Sequence, residues 1–437
     1  GRYVMRDMGY NYLSTVLPGS IVINFGDNDT FPMWYNQEVE GVRPDVRIMN
    51  QSYLGGGWYV EEMKARHNES EGVPFSFPKE KYMYVNDYIL VEDIVDYRVD
   101  LKQAMDIVRS EHPNTKIAYS DELDFDFMPQ HKLSLAVNKE NALRAGIVKP
   151  EDAHLMLDSI EINITSSTLE KPEVMILDML VQLDWSRPVY FVQPSLLKHL
   201  GLNDYLQFDG FAYRLVPIKT PVESVATMGR IDTDYLYNNL MRVYRYGNVS
   251  DPDVYIDNFS RFNINSSQVR GAFARLAEAL VAEGRSEEAV EVLDRGLAEL
   301  PLSQLPHGYQ SFPYIDAYYA AGAIEKGDRL AQDFAHSITE KIYYYFTFPD
   351  AKQDFITDQL VEQFQYLEHL IYSVLLPYER FEVMNDMDRS LEIAELFFGM
   401  TRNEHGQPES TIAAVNDRTR KEFLESIEGS FIIPKPE

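Results

Sequence analysis

The chain has 437 residues and carries 40 Lys and Arg against 69 Asp and Glu, which gives a formal net charge of −29. This excess of negative charge argues against nucleic acid as a partner and against adsorption to an anionic membrane surface, since both need clustered Lys and Arg. An apolar content of 45% over this length predicts two or three folded domains and argues against long disordered segments.

The sequence contains no cysteine and no run of apolar residues long enough to cross a bilayer. Disulfide and thiolate chemistry are therefore excluded. The first residues, Gly1-Arg2-Tyr3, show neither an initiating Met nor a signal-peptide pattern. We expect the chain to be a processed or engineered part of a longer protein.

Residues 1–222 alternate between helix and strand patterns. In chain order the predicted elements are helix 3–17, strand 21–25, a helix after the turn at 26–30, strand 45–50, helix 58–66, helix 101–109, strand 116–119, strands 132–137 and 159–164, helix 172–183, and strands 188–193 and 213–218. This order predicts an α/β domain with a mainly parallel, Rossmann-like sheet. Strands 132–137 and 159–164 alternate apolar and polar residues, which favours antiparallel additions to that sheet.

The remainder of the chain is predicted to be helical. Residues 223–265 are interpreted as a connector whose aromatic residues pack rather than form a floppy linker. Residues 266–400 are predicted to form an all-α, tetratricopeptide-like domain, because helix patterns come in pairs across short turns. The predicted helices are 268–283, 287–300 with Ser286 as its cap, 316–324, 329–345, 355–378 and 390–400, and residues 401–437 are predicted to be a C-terminal tail.

An acidic turn, Gly26-Asp27-Asn28-Asp29-Thr30, follows the first strand pattern and precedes a helix pattern. In open α/β sheets, ligands bind at the carboxyl ends of parallel strands, where this turn would lie. Asp29 or Thr30 can cap the helix, whereas Asp27 and Asp29 together can hold a divalent metal as an Asp-x-Asp pair. We favour capping, and the binding of a substrate or ion and direct catalysis remain open alternatives.

A second polar segment, Asn50-Gln51-Ser52-Tyr53, follows the next strand pattern and would lie beside the acidic turn if the two strands are neighbours. The candidate ligand-binding residues are accordingly Asp27, Asn28, Asp29, Thr30, Asn50, Ser52 and Tyr53, with Asp27 and Asp29 as the candidate metal ligands. No catalytic residue is assigned, and no cofactor is predicted apart from that divalent metal.

Two Trp-Tyr pairs, Trp34-Tyr35 and Trp58-Tyr59, come close to the same predicted edge of the sheet. Aromatic faces bind sugars well, but large aromatic residues at helix starts are more often part of the core. We therefore interpret both pairs as core residues.

Four long segments resemble one family of large bacterial membrane proteins of unknown function. They are GDNDTFPMWYNQEVEGVRPDVRIMNQSYL at 26–54, LDWSRPVYFV at 183–192, LGLNDYLQFDGFAYRLVPI at 200–218 and RYGNVSDPDVYID at 245–257. Members of that family look like protein O-mannosyltransferases, and this chain resembles their soluble C-terminal part. The resemblance implies a position on the periplasmic side of a bacterial inner membrane, reached through a preceding multi-helix region that would carry out glycosyl transfer.

The resemblance also implies a role for this chain as an accessory region that recognises an acceptor or a partner without being catalytic itself. The helical repeats are expected to bind a protein or peptide, and a glycan acceptor is a further candidate partner. Two alternatives remain: a metal-dependent enzyme that uses the loop of Asp27 and Asp29, and a structural assembly module.

Overall fold

A computed structural model describes residues 3–83, 87–120, 123–197, 199–222, 227–266, 268–346, 353–380, 382–383, 401–402 and 408–409. The chain divides into two units, residues 1–272 and residues 273–437. The first unit mixes helices with β-sheets, and the second, over the residues that the structure describes, is helical apart from two short strands. This order confirms the predicted succession of a mixed α/β region and a helical region.

The α-helices are α1 (Val4–Thr15), α2 (Asp27–Glu38), α3 (Gly57–Lys64), α4 (Lys79–Met83), α5 (Leu101–Arg109), α6 (Lys139–Arg144), α7 (Lys171–Leu183), α8 (Thr233–Asn238), α9 (Asn258–Ile264), α10 (Arg270–Ala282), α11 (Ser286–Glu299), α12 (Ser311–Ala320), α13 (Ile324–Phe346) and α14 (Gln353–His369). Short 3₁₀ segments cover Tyr53–Gly55, Pro113–Thr115, Pro150–Leu155, Pro194–Leu197 and Asn203–Tyr205, and π-helical turns cover Asn239–Val243 and Leu370–Leu375. No helix within the described ranges is both long and apolar enough to cross a membrane.

The strands are β1 (Ile21–Asn24), β2 (Arg47–Asn50), β3 (Tyr88–Val91), β4 (Val99–Asp100), β5 (Lys116–Ser120), β6 (Leu123–Met128), β7 (Lys132–Ala136), β8 (Ser159–Asn163), β9 (Thr168–Glu170), β10 (Val189–Phe191), β11 (Leu206–Phe208), β12 (Tyr213–Leu215), β13 (Arg230–Ile231), β14 (Thr401–Arg402) and β15 (Pro408–Glu409). Strands β3, β4, β6, β9, β11, β13, β14 and β15 were not predicted.

A six-stranded sheet of order β13-β11-β12-β10-β1-β2 holds the candidate site. Strands β10, β1 and β2 are parallel neighbours, with Asn24 of β1 aligned to Asn50 of β2. Strand β12 is antiparallel to both β10 and β11. All residues of β1 and β2 are buried, as in strands that are covered on both faces. The carboxyl ends of β1 and β2 therefore meet at one edge, where α2 and the 3₁₀ turn at Tyr53–Gly55 begin.

Helices α1 and α2 cover part of this sheet and share its core. Leu13 of α1 and Val16, which follows that helix, pack with Met33 of α2 and with Val22 and Tyr190 of the sheet. The two helices approach closely at Gly9, where a Cβ atom would collide with the backbone of Pro32. A glycine is therefore required at that position of α1.

Two smaller sheets complete the β-structure of the first unit, a four-stranded sheet β5-β6-β3-β9 and a three-stranded sheet β4-β7-β8. Strands β7 and β8 are antiparallel partners, which confirms the pairing type predicted from their alternating sequence. Parallel and antiparallel pairs occur in each of these sheets as in the largest one. The observed fold is thus mixed α/β, and the more specific prediction of a mainly parallel, Rossmann-like sheet is not confirmed.

The described part of the predicted connector 223–265, residues 227–265, packs on α1. The Tyr235 hydroxyl donates to the Thr15 carbonyl at 2.7 Å, and Asn11 exchanges hydrogen bonds of 2.7 and 2.9 Å with the backbone of Arg245. These contacts lie inside the first unit. The predicted boundaries at residues 222 and 265 stay predictions.

The second unit contains consecutive helices that pack in sequence, α11 on α12, α12 on α13 and α13 on α14. Helix α10 ends at Ala282 and is followed by Gly284, whose φ of +79° is left-handed, and the Arg285 N–H bonds back to the Leu280 carbonyl. Arg285 is consequently the N-cap of α11, and the prediction that Ser286 caps this helix is wrong. The tetratricopeptide-like arrangement stays a prediction, and the helix predicted at 390–400 lies outside the described residues, as does most of the predicted tail.

Candidate functional site

The acidic turn is the first turn of α2 rather than a loop before it. The N-cap is Gly26, with φ −122° and ψ 178°, and no side chain caps the helix. The Thr30 N–H already bonds to the Gly26 carbonyl at 3.2 Å, so Asp27 to Thr30 have entered the helix. The prediction that Asp29 or Thr30 is the N-cap is therefore wrong, although two carboxylates in the first turn still interact favourably with the helix dipole.

Asp27 and Asp29 lie in different surroundings. Asp27 is exposed, and its Oδ1 accepts a 2.8 Å hydrogen bond from the Tyr53 hydroxyl. Asp29 is only 7% exposed, and its Oδ2 has no hydrogen-bond partner. Burial raises the pKa of Asp29, an effect that the N–H groups of Phe25 and of Asp29 itself oppose.

Positions i and i+2 of a helix do not face each other, so these two carboxylates diverge. Across the described ranges, no group of three or more His, Asp or Glu side chains comes together as a metal site would require. The predicted metal site at Asp27 and Asp29 thus gains no support from the geometry and stays a prediction.

Thr30 links the ends of the two central strands to α2. Its hydroxyl donates to the Gly26 carbonyl at 2.7 Å, lies 2.8 Å from the side-chain amide of Asn24, and accepts from the Asn50 side-chain amide at 2.9 Å. Thr30, Asn24 and Asn50 are fully buried. Two of the predicted ligand-binding residues, Thr30 and Asn50, are therefore buried side chains whose hydrogen bonds connect the ends of β1 and β2.

The remaining candidates lie nearer to solvent. Asn50 Oδ1 accepts from both the backbone N–H of Ser52 (2.9 Å) and its hydroxyl (2.6 Å). The Ser52 hydroxyl also lies 2.8 Å from the Phe25 carbonyl. Asn28 and Ser52 are exposed, and Tyr53 is half-buried. The structure thus brings the turn after β1 and the turn after β2 into direct contact, as their positions in the sequence predicted.

Four aromatic side chains form a continuous row beside these turns, which we call the aromatic strip: Phe31, Trp34, Tyr53 and Trp58. Successive ring centroids are 5.8, 6.4 and 6.3 Å apart, with interplanar angles of 30°, 38° and 39°. Phe31 is 50% and Trp58 60% exposed. The row therefore presents an apolar surface to solvent.

The predicted core role of the Trp-Tyr pairs is confirmed for Tyr59 and wrong for Trp58 and Tyr35. Tyr59 is buried beneath the strip and accepts a 2.9 Å hydrogen bond from the Asn50 N–H. Helix α3 buries Tyr59, Val60 and Met63, so Trp58 projects outward. Tyr35 is 43% exposed for the same reason, since other positions of α2 make its buried face.

A cavity of about 480 Å³ borders the same turns. It is lined by Phe25, Gln51, Ser52, Gly55, Asp87, Tyr88, Thr168, Glu170, Lys171 and Pro172. Gln51 is 9% exposed, and its Oε1 has no hydrogen-bond partner. The Lys171 ammonium donates to the Gly55 carbonyl at 3.0 Å and lies 3.5 Å from the Asp87 carboxylate.

Sequence reasoning placed Gln51 beside the acidic turn but did not include Asp87, Tyr88 or Lys171. Their contribution depends on β3, β9 and the start of α7, which reach this edge through tertiary packing. A second cavity, of about 640 Å³, also went unpredicted. It is lined by Tyr3, Met5, Arg6, Phe31, Pro32, Tyr35, Gly247, Asn248 and Val254.

Comparison with known proteins identifies one family. Searches of curated proteins and of solved structures found no significant match. Residues 5–235, more than half of the 437 residues, match the family described as TMEM260-associated domain 2. The matched stretch contains the acidic turn, the aromatic strip and the 480 Å³ cavity. The chain therefore belongs to the TMEM260-associated domain 2 family, whose function is unknown.

Proposed function

We propose that this chain is a non-catalytic recognition region that holds an acceptor polypeptide on the aromatic strip. The observation that carries the proposal is the continuous row of Phe31, Trp34, Tyr53 and Trp58, whose two ends, Phe31 and Trp58, are exposed and whose two middle rings are partly buried. Contiguous exposed apolar surface is uncommon on monomeric proteins and marks interaction sites. Trp and Tyr are also the residues that contribute most to binding energy at interfaces.

The spacing of the rings suits an extended chain. A polypeptide in a strand or polyproline II conformation advances by about 6–7 Å every two residues. The centroid separations of 5.8 to 6.4 Å are close to that advance. Asp27, exposed beside Tyr53, favours an acceptor that brings hydrogen-bond donors or positive charge, as does the net charge of −29.

The parent protein and the cellular location that we propose are inferred from the sequence resemblance. On that basis the chain is an extracytoplasmic accessory region of a membrane glycosyltransferase-like protein of the protein O-mannosyltransferase type, on the periplasmic side of a bacterial inner membrane. A Rossmann-like sheet would place the site at the carboxyl ends of the central strands. A tetratricopeptide-like second unit would add a surface for a further protein or peptide partner.

The test compares two exposed aromatic residues of the first unit. Trp58 lies in the aromatic strip, whereas Phe262, 79% exposed, belongs to α9. We expect Trp58→Ala to weaken the binding of peptides taken from extracytoplasmic host proteins by at least about tenfold, and Phe262→Ala to leave it unchanged. Fluorescence anisotropy of labelled peptides measures both.

Equal losses for the two variants, or no binding of any such peptide by the unchanged chain, would refute the proposal. A second measurement tests the proposed role in glycosylation by the parent protein. If the full-length parent protein glycosylates its acceptors equally well with Trp58→Ala and with the native residue, the strip has no part in acceptor recognition.

A further inference from the structure

The aromatic strip carries an exposed carboxylate beside its third ring. The Tyr53 hydroxyl, at the rim of that ring, donates to Asp27 Oδ1 at 2.8 Å. Within the described ranges no hydrogen bond reaches the second oxygen, Asp27 Oδ2. The ring of Trp58 follows that of Tyr53 at 6.3 Å and is 60% exposed. An accessible anionic oxygen and an exposed aromatic ring therefore both adjoin Tyr53.

The segments that form the aromatic strip are acidic. Residues 26–42 and 51–63 contain all the rings of the strip and no Lys or Arg, and their charged residues are Asp27, Asp29, Glu38, Glu40, Glu61 and Glu62. Lys171, in the 480 Å³ cavity, already lies 3.5 Å from the Asp87 carboxylate. Arg6, in the 640 Å³ cavity, already pairs with Glu40 at 2.6 Å. The surface is consequently complementary to a partner that brings positive charge.

Arginine is the cation that suits this arrangement. Its planar guanidinium stacks on aromatic rings and at the same time donates to a carboxylate, whereas the compact ammonium of lysine is more strongly hydrated. A cation that pairs with Asp27 comes next to the Tyr53 ring, because the same carboxylate bonds to the Tyr53 hydroxyl. The full negative charge of Asp27 exceeds the roughly half positive charge at the start of a helix such as α2, so the pairing stays favourable.

We propose that the acceptor polypeptide presents an arginine whose guanidinium donates to Asp27 and lies against the rings of Tyr53 and Trp58. This inference rests on the proposed function and deepens it, since the arginine belongs to the polypeptide that the aromatic strip holds. An apolar surface by itself accepts many sequences, whereas a charged partner position discriminates among them. Asp27 is then the residue that determines specificity, and the rings supply the contact area.

The experiment is an NMR titration of the full chain labelled with nitrogen-15 at tryptophan. The probes are blocked heptapeptides, Thr-Leu-Thr-Xaa-Thr-Leu-Thr, whose central residue is Arg, citrulline, Lys or Glu. Citrulline has almost the shape of arginine but no charge, so the first two peptides isolate the effect of the cation. We expect the Arg peptide to shift the Trp58 indole signal and to bind about tenfold more tightly than the citrulline peptide, since an ion pair and a cation–π contact both contribute.

Trp185 is the internal reference. It is 5% exposed, and its Nε1 donates to the Ala136 carbonyl at 2.8 Å, so its indole signal should not move with any peptide. An unmoved Trp185 signal in a variant also shows that the variant is folded.

A matched pair of variants makes the result decisive. Asp27→Asn should bind the Arg and citrulline peptides equally. Glu38→Gln removes the same charge from the same helix, but the Glu38 carboxylate bonds to His67 and Asn68 at 3.0 and 2.9 Å, so this variant should keep the preference for arginine. Loss of the preference in both variants would mean that only the overall negative charge attracts the peptide, and it would overturn the inference.

Failure of this inference is distinguishable from failure of the proposed function. If the unchanged chain binds the Arg and citrulline peptides equally, or the Lys or Glu peptide more tightly, the recognition of arginine is refuted. If Trp58→Ala then weakens the binding of both peptides, followed at the Trp34 signal, the aromatic strip still holds a polypeptide. If no peptide shifts the Trp58 signal, the recognition of arginine is refuted as well, and the peptides from host proteins decide separately whether the aromatic strip binds a polypeptide.

Discussion

Two regions of the first unit bring polar and aromatic side chains together, and they differ in whether the carboxylate and amide oxygens have hydrogen-bond partners. In the buried cluster, Asp209 and Arg214 are 2.9 Å apart with side chains 0% and 4% exposed, and Tyr190 and Gln207 also donate to the Asp209 carboxylate. At the acidic turn, Asp29 and Gln51 keep unpaired oxygens. Both oxygens of the Asp209 carboxylate accept hydrogen bonds from within the fold, as in a stabilising network, whereas Asp29 Oδ2 and Gln51 Oε1 accept none.

The largest effect is expected in the buried cluster. Asp209→Asn leaves the Arg214 guanidinium buried without its counter-charge, which costs about 3–5 kcal/mol of unfolding free energy. Urea denaturation followed by circular dichroism measures this. The matched control is Lys219→Met, which removes the exposed ion pair of Lys219 with Glu161 and should cost about 0–1 kcal/mol. Similar losses for both variants would remove the distinction between a buried network and a surface pair.

The next largest effect is expected at Thr30. This residue belongs to the acidic turn, but it is buried and its hydroxyl is hydrogen-bonded, so it extends the comparison into that region. Thr30→Ala deprives Asn24 and Asn50 of their shared partner, and we expect a loss of about 1–3 kcal/mol. Thr30→Ser keeps the hydroxyl and should cost clearly less. Chemical denaturation of the two variants tests this, and equal losses would mean that packing of the Thr30 methyl group matters rather than its hydrogen bonds.

A smaller effect of opposite sign is expected at Asp29. Burial raises the pKa of Asp29 in the folded state, so its charged form destabilises the fold at pH values above that pKa. This cost disappears as the pH falls through the folded pKa. Asp29→Asn should therefore raise the unfolding free energy at neutral pH by less than about 1 kcal/mol, since the lost charge-assisted bond to the Phe25 N–H offsets part of the gain.

Thermal melts of Asp29→Asn and of the unchanged chain over a pH series measure that difference. The gain should be largest near neutral pH and absent below the ordinary aspartate pKa of 3.8. A destabilised Asp29→Asn at neutral pH would show that this carboxylate is a satisfied structural group like Asp209.

The smallest effect concerns Asp27 and Tyr53. The hydrogen bond to the Asp27 carboxylate raises the pKa of Tyr53. Asp27→Asn should lower that pKa toward its usual value and lower the unfolding free energy by only about 0.3 kcal/mol, because the bond is exposed and the interaction with the helix dipole is weak. NMR titration of labelled tyrosines tests the shift. An unchanged Tyr53 titration would mean that the two side chains do not interact in solution, and the acidic turn would then present Asp27 free beside the strip.

Local sequence patterns predicted most of the elements that build this site. Strands β1 and β2, the helix between them, and α5 and α7 were all predicted within a few residues, because apolar periodicity and turn residues act over short distances. The short strands β3, β4, β6, β9, β11 and β13 of the first unit were missed, since two to six residues carry little periodic signal. The start of α2 was misplaced because Gly26 caps it through backbone geometry rather than through a side chain.

The sequence by itself determined that the turns after β1 and β2 are polar, and it predicted that they lie at one edge of a sheet on the condition that the two strands are neighbours, which the structure meets. Only the tertiary structure decided that Asp27 faces solvent while Asp29 is buried, that Trp58 is exposed above Tyr59, and that Lys171 joins Gln51 at one cavity. Burial and partner choice depend on the packing of elements far apart in the chain, and no pattern within a single segment encodes them.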